Sequence, residues 1–283
     1  VSDLFTKNFG RSGPAVTRVG LGGEGVLRTF GREAEAKAVI ESALAEGITY
    51  FDCAAAYAGS QGYYGLVWGE RPDQRARVFQ ASKSAGRMAA EARADLENTL
   101  AVMRLDHLDL WQIHDLRTEA DFETISGPGG ALEFFVRARD KGLVRHIGVT
   151  GHHDPRLLTR AVREWPLDAV LLPINPVEAV LGGFMDETVP VARERGLAVI
   201  AMKVLGAGHY LAPRAGVTAE VLLSFALAQN PDVVIVGCRT PDEVRTLAQM
   251  GREARPLTAP EQTALVEVFR TDARRLGFYR AYA

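Results

Sequence analysis

VVIVG, residues 233–237, holds four β-branched aliphatic residues in a row with no polar position between them. A strand with one wet face alternates; a run without alternation is what a parallel strand covered on both faces requires. AVLLPI (169–174) reads the same way. Further short apolar runs stand at TRVGLG (17–22), ITYFD (48–52), RVFQASK (77–83), LDLWQIH (108–114), VRHIGVT (144–150) and LAVIAMK (197–203). Between them lie helical patterns. In 32–47, Ala36, Val39, Ile40, Ala43 and Leu44 recur at three- and four-residue steps and Gly47 stands where a helix would end. Similar patterns cover 95–103, 132–140, 155–165, 186–195, 218–229 and 241–250.

Eight β/α units in about 250 residues predict a (β/α)8 TIM barrel, with an open doubly wound sheet as the competitor. The glycines of GLGGEG (20–25) open no clear helix and form no dinucleotide fingerprint, which disfavours the open sheet. The opening residues 4–19, with a turn at 12–14, predict a short N-terminal hairpin, and 259–276 an extra C-terminal helix before a tail. The whole chain, 1–283, reads as one barrel domain.

The 283 residues are 47% hydrophobic and 24% charged, with a formal net charge of -2. That balance offers no basic face for nucleic acid or anionic lipid. No apolar run reaches the ~18 residues of a membrane span. The two cysteines, Cys53 and Cys238, have no paired spacing, which fits a reducing, cytoplasmic setting without a cysteine metal site. The sequence opens at Val1 with no Met, leaving room for a segment removed before it. Nothing in it reports an oligomeric state.

In such a barrel chemistry belongs at the C-terminal ends of the strands. Asp52 ends the second run, Tyr57 follows in its loop, Lys83 ends the third and His114 the fourth. The chain uses arginine as its default cation; its five lysines are Lys7, Lys37, Lys83, Lys141 and Lys203, and two of them close strands. An ammonium beside a phenol favours the phenolate and lowers its pKa, a carboxylate would anchor the ammonium, and an imidazole could donate to a carbonyl oxygen. That set suits carbonyl reduction, with the hydride supplied by a nicotinamide cofactor.

FDCAAAY (51–57), ASKS (81–84) and LDLWQIHD (108–115) resemble the aldo-keto reductase superfamily, whose catalytic tetrad is Asp, Tyr, Lys and His in this order. The resemblance runs from residue 9 to about 250. It implies a barrel enzyme interconverting an aldehyde, ketone or sugar with an alcohol, using NADPH, with NADH open. Tyr57 would be the proton donor, Lys83 would lower its pKa, Asp52 would pair with Lys83, and His114 would orient the carbonyl. For the cofactor it implies Thr150 at the carboxamide, Asn175 as a substitute for a glutamine, Met202 against the nicotinamide, and Lys203, Gly206 and Gly208 at the pyrophosphate. Gly237 and Arg239 would serve the adenosine phosphate, although Glu243 and Leu247 stand where many NADP-preferring members carry Arg and Asn.

Tyr63 and Trp68 are expected to line the substrate pocket, along with loops 117–130 and 209–216 and the aromatics Phe278, Tyr279 and Tyr282. Other readings stay open at this point: oxidation of a sugar to its lactone, a cofactor-binding regulatory subunit, and a Schiff-base aldolase on Lys83 or Lys203. His114, His152, His153 and Asp52 form no HxH or HExxH pairing, so no metal site is expected.

Overall fold

A computed structural model describes residues 3–253 and 255–281. A hairpin, β1 (Thr6–Asn8) and β2 (Ala15–Thr17), precedes eight strands: β3 (Val19–Gly25), β4 (Tyr50–Asp52), β5 (Phe79–Ser84), β6 (Leu108–Ile113), β7 (Val144–Thr150), β8 (Ala169–Pro173), β9 (Ala198–Met202) and β10 (Val233–Cys238). Each of the eight pairs in parallel with the next, and β10 closes onto β3 to complete the barrel. The closing seam is tight: a Cβ on Gly25 would lie 2.2 Å from the Cys238 carbonyl oxygen, and one on Gly237 2.5 Å from Glu24 Cβ.

Two apolar layers follow from the period-two pleat of the strands. Inward-facing Tyr50, Phe79, Ala81, Leu110, Leu171 and Ile200 fill the barrel, while Phe51, Trp111, Ile147 and Val199 face the surrounding helices. Phe9, in the hairpin turn, enters from the N-terminal end and packs 4.6 Å from the Phe79 ring. That end is plugged, so the opposite rim is left for chemistry.

The predicted helices form, with one break: the C-terminal helix divides into Ala259–Phe269 and Ala273–Leu276. One helix beside the site, Ser60–Glu70, has no clear amphipathic signature because it carries three glycines. They serve packing. A Cβ on Gly65 would lie 2.1 Å from the Val102 carbonyl oxygen and one on Gly69 2.4 Å from Arg104, so the glycines let this helix lie against Ala89–Met103. Among the described residues no helix is long and apolar enough to cross a membrane.

Candidate active site

The strand ends bring Asp52, Tyr57, Lys83 and His114 to one point on the rim. Lys83 Nζ donates to Asp52 Oδ2 at 2.6 Å and to the Cys53 carbonyl at 2.8 Å. It also lies 4.6 Å from the centroid of the Tyr57 ring, whose edge-on neighbour at 5.4 Å is His114. Tyr57 is held by a tight turn in which its N–H donates to the Ala54 carbonyl and the next residue, Ala58, adopts a φ of 46°. His114 is fixed through its backbone: its N–H donates to Ser84 O, and Arg87 donates to the carbonyls of His114 and Asp115, both at 2.8 Å. Arg87 is a positioning group with no sequence signal, because its targets lie 27 and 28 residues away.

Burial pulls Lys83 towards the neutral amine, yet the Asp52 charge and the neighbouring phenol win and its pKa rises above the ordinary value. Burial raises Asp52 as well, against the pull of Lys83. The proton stays on the amine, whose affinity for it is greater. Tyr57 departs from the expectation of an easily ionised phenol. Burial raises its pKa above the usual value, and Lys83 opposes that rise without reversing it. Tyr57 is thus a protonated acid at neutral pH. His114 is pushed down to about 3, by burial first and the Lys83 charge second, so its ring is neutral.

Arg28, from the turn after β3, was not singled out by sequence; its guanidinium lies 5.1 Å from the Tyr57 centroid and pairs with Glu24 at 2.6 Å. The pair makes the mouth above the phenol polar.

The residues expected to hold a cofactor separate into two groups. Between Met202 and Gly208 the local structure fits an anionic ligand held close to the backbone. Gly206, Ala207 and Gly208 all have positive φ (54°, 54° and 92°), the space above Gly208 is open, and Lys203 supplies a cation. Burial lowers the pKa of that lysine, with Glu24 and Asp115 opposing. Met202 is half-buried on the uppermost layer of the barrel interior. Thr150 accepts from the Asp115 N–H at 2.8 Å and keeps its own hydroxyl proton to donate.

The other residues have structural work. Asn175 is fully buried and its amide is engaged: Oδ1 accepts from Glu178 N, and Nδ2 donates to Lys203 O and Tyr279 Oη. It therefore caps a helix and presents no free amide to a ligand. Gly237 is required by the seam with Glu24. Arg239 is exposed, and its backbone N–H donates to Glu243 at 2.6 Å, so the carboxylate stands beside the guanidinium's own residue.

The two pocket residues are corrected. Trp68 is 2% exposed, packs edge-on against Phe51 and donates its indole N–H to Gln80, which puts it in the helix-to-barrel core. Tyr63 is 3% exposed; its hydroxyl donates to Thr29 O and accepts from Arg32 N, pinning the loop after β3. An apolar or aromatic residue on a helix facing a barrel is core by default, and only the glycines hid that helix from sequence. The tail aromatics divide: Phe278 is 56% exposed, Tyr279 is buried against Asn175 and Tyr210, and Tyr282 lies outside the described residues. The next residue after Tyr279, Arg280, pairs with the fully buried Glu178 and also donates to Gly182 O, which straps the tail across the rim.

A profile described as the aldo/keto reductase family matches residues 18–215. Among curated relatives, a protein named probable aldo-keto reductase 1 from Glycine max is 24% identical over 71% of the chain, which spans 60% of that relative's length. Another, named 6-dehydroglucose reductase, from Novosphingobium aromaticivorans, is 25% identical over 79% of the chain and 77% of its own. Among solved structures, the holo form of aldo-keto reductase AKR11C1 from Bacillus halodurans has a TM-score of 0.75 at 19% identity, covering 94% of the chain and 96% of its own, a likeness in fold.

Proposed function

Because the chain belongs to the aldo/keto reductase family, whose enzymes carry out nicotinamide-dependent carbonyl reduction, we propose that it reduces an aldehyde or ketone to an alcohol with Tyr57 as the proton donor. The observation that carries the reading is the Lys83 ammonium, anchored on Asp52 at 2.6 Å and lying 4.6 Å from the Tyr57 ring. A nicotinamide cofactor, when bound, supplies the hydride. Met202, Lys203, Gly206, Gly208 and Thr150 would hold it, with Arg239 reaching the adenosine end. The neutral His114 ring donates a hydrogen bond to the carbonyl oxygen as charge builds there, and Tyr57 delivers the proton. Lys83 then faces the phenolate left behind and offsets its charge.

The protonated Tyr57 is the form that reduction consumes, and reduction is the direction this reading takes. The Arg28–Glu24 pair at the mouth favours a carbonyl substrate bearing hydroxyl groups, of the kind a sugar presents. For the cofactor the reading is NADPH, on Arg239, with the Glu243 charge opposing a 2′-phosphate. The test is oxidation of NADPH and of NADH with a panel of simple and polyhydroxylated aldehydes. Turnover that rises with hydroxylation supports the reading; cofactor binding without turnover on any carbonyl overturns it. Borohydride trapping in the presence of substrate separates off the aldolase alternative, since a reductase retains no substrate carbon on Lys83 or Lys203.

A further inference from the structure

The loops after β6 and β7 bring together three groups that the reduction does not use. Ligand atoms of Asp115, His152 and His153 all lie within 4.8 Å of one another. No sequence spacing advertises this set, because the carboxylate and the imidazoles come from different loops.

The contacts of His152 are unusual in their polarity. Nε2 lies 3.2 Å from Asp115 Oδ1, and Nδ1 lies 3.3 Å from the Tyr279 carbonyl oxygen. Both neighbours are acceptors, and a neutral imidazole carries one proton. With the proton on Nδ1, the Nε2 lone pair faces a carboxylate oxygen; with it on Nε2, the Nδ1 lone pair faces the carbonyl. A second proton would satisfy both contacts, and so would a bound cation. Asp115 Oδ1 is itself buried with no hydrogen-bond partner among the described residues, while Oδ2 accepts from Arg117 at 2.7 Å.

A cation between Nε2 and Oδ1 removes the conflict. The 3.2 Å separation is close to the edge of a tetrahedron around zinc, roughly 3.3 Å for bonds of about 2.0 Å. The Tyr279 carbonyl would then accept from Nδ1–H and hold Nε2 as the ligand, the arrangement that supports a metal-bound histidine from behind. The His153 ring, 5.0 Å from that of His152, supplies the third donor.

We propose that Asp115, His152 and His153 bind one divalent transition ion of zinc-like preference, leaving its fourth position open at the barrel mouth. Arg117, paired with Asp115 Oδ2, and Lys203 set positive charge nearby, which weakens the hold on a cation.

The test is calorimetric titration of tag-free, chelator-treated protein with zinc chloride, with magnesium chloride as the contrast. One equivalent of zinc bound, no magnesium, and affinity weakened at least about tenfold in both His152→Ala and His153→Gln is the expected result. No stoichiometric uptake by the parent, or undiminished uptake in either variant, overturns the site. His153 is partly exposed, so its variant decides the matter if His152→Ala does not fold. The readout is binding heat, independent of any carbonyl turnover.

Discussion

Lys83 Nζ and Asp52 Oδ2 lie 2.6 Å apart with both side chains sealed from solvent. Removing one partner strands the other in a dry interior. Lys83→Met should cost about 3–5 kcal/mol in urea unfolding and abolish turnover, whereas Asp52→Asn combined with Lys83→Met should recover part of the stability and none of the activity. Equal stability of the single and double variants would contradict the ion pair.

Tyr57→Phe keeps the ring beside Lys83 and His114 and removes only the acid. Turnover should fall by about 10²- to 10⁴-fold, while NADPH affinity measured by fluorescence stays put. A variant that still turns over at a tenth of the parental rate or better would assign the proton to another group.

The buried imidazoles make stability depend on pH. In the folded chain His114 is held to about 3 and His152 to about 4, whereas both would titrate near 6.5 when unfolded. Below 6.5 the unfolded chain therefore binds more protons, and stability falls as pH drops from 6.5 towards 4. Thermal melts of metal-free protein should be level above pH 7 and decline through that window, less steeply in His152→Asn. The same reasoning gives kcat/KM for reduction no inflection near 6.5, because His114 stays neutral there.

Glu243 accepts from the Arg239 N–H at 2.6 Å, and on the proposed NADPH reading its negative charge faces an incoming 2′-phosphate. Glu243→Gln should tighten NADPH relative to NADH, by about two- to fivefold at low salt, and the gain should shrink as salt rises. No change in the ratio of the two dissociation constants would remove the adenosine phosphate from this loop.

Two glycines of one helix should respond with opposite signs. A Cβ on Gly62 would meet nothing within 4 Å, so Gly62→Ala should stabilise by about 0.5–1 kcal/mol. Gly65 faces the Val102 carbonyl at 2.1 Å, so Gly65→Ala should destabilise by about 1–3 kcal/mol. Chemical denaturation of both variants checks the pair.

The barrel and the gathering of Asp52, Tyr57, Lys83 and His114 on one rim are legible because each depends on local order: unbroken apolar runs mark doubly covered strands, and a polar residue just past each run marks the rim. What escaped was set by side chains meeting across loops. Trp68 reads as a pocket residue from sequence because nothing there marks the glycine-bearing helix that lies flat on the barrel. Asn175 sits at a strand end like Lys83, yet its amide closes on Glu178, Lys203 and Tyr279, partners up to 104 residues away. The phenol's acidity is legible only in part, for a related reason. Sequence supplies the ammonium that lowers a pKa but not the depth of burial that raises it.

The seam between β3 and β10 has a consequence for synthesis. The first barrel strand finds its neighbour on one side only after residue 233 and its successors have left the ribosome, more than 200 residues later. Until then the nascent sheet carries two naked margins of unpaired amides and carbonyls, one at each end, of the kind that recruit other chains. Versions shortened before Val233 should therefore gather into aggregates instead of yielding a smaller working protein.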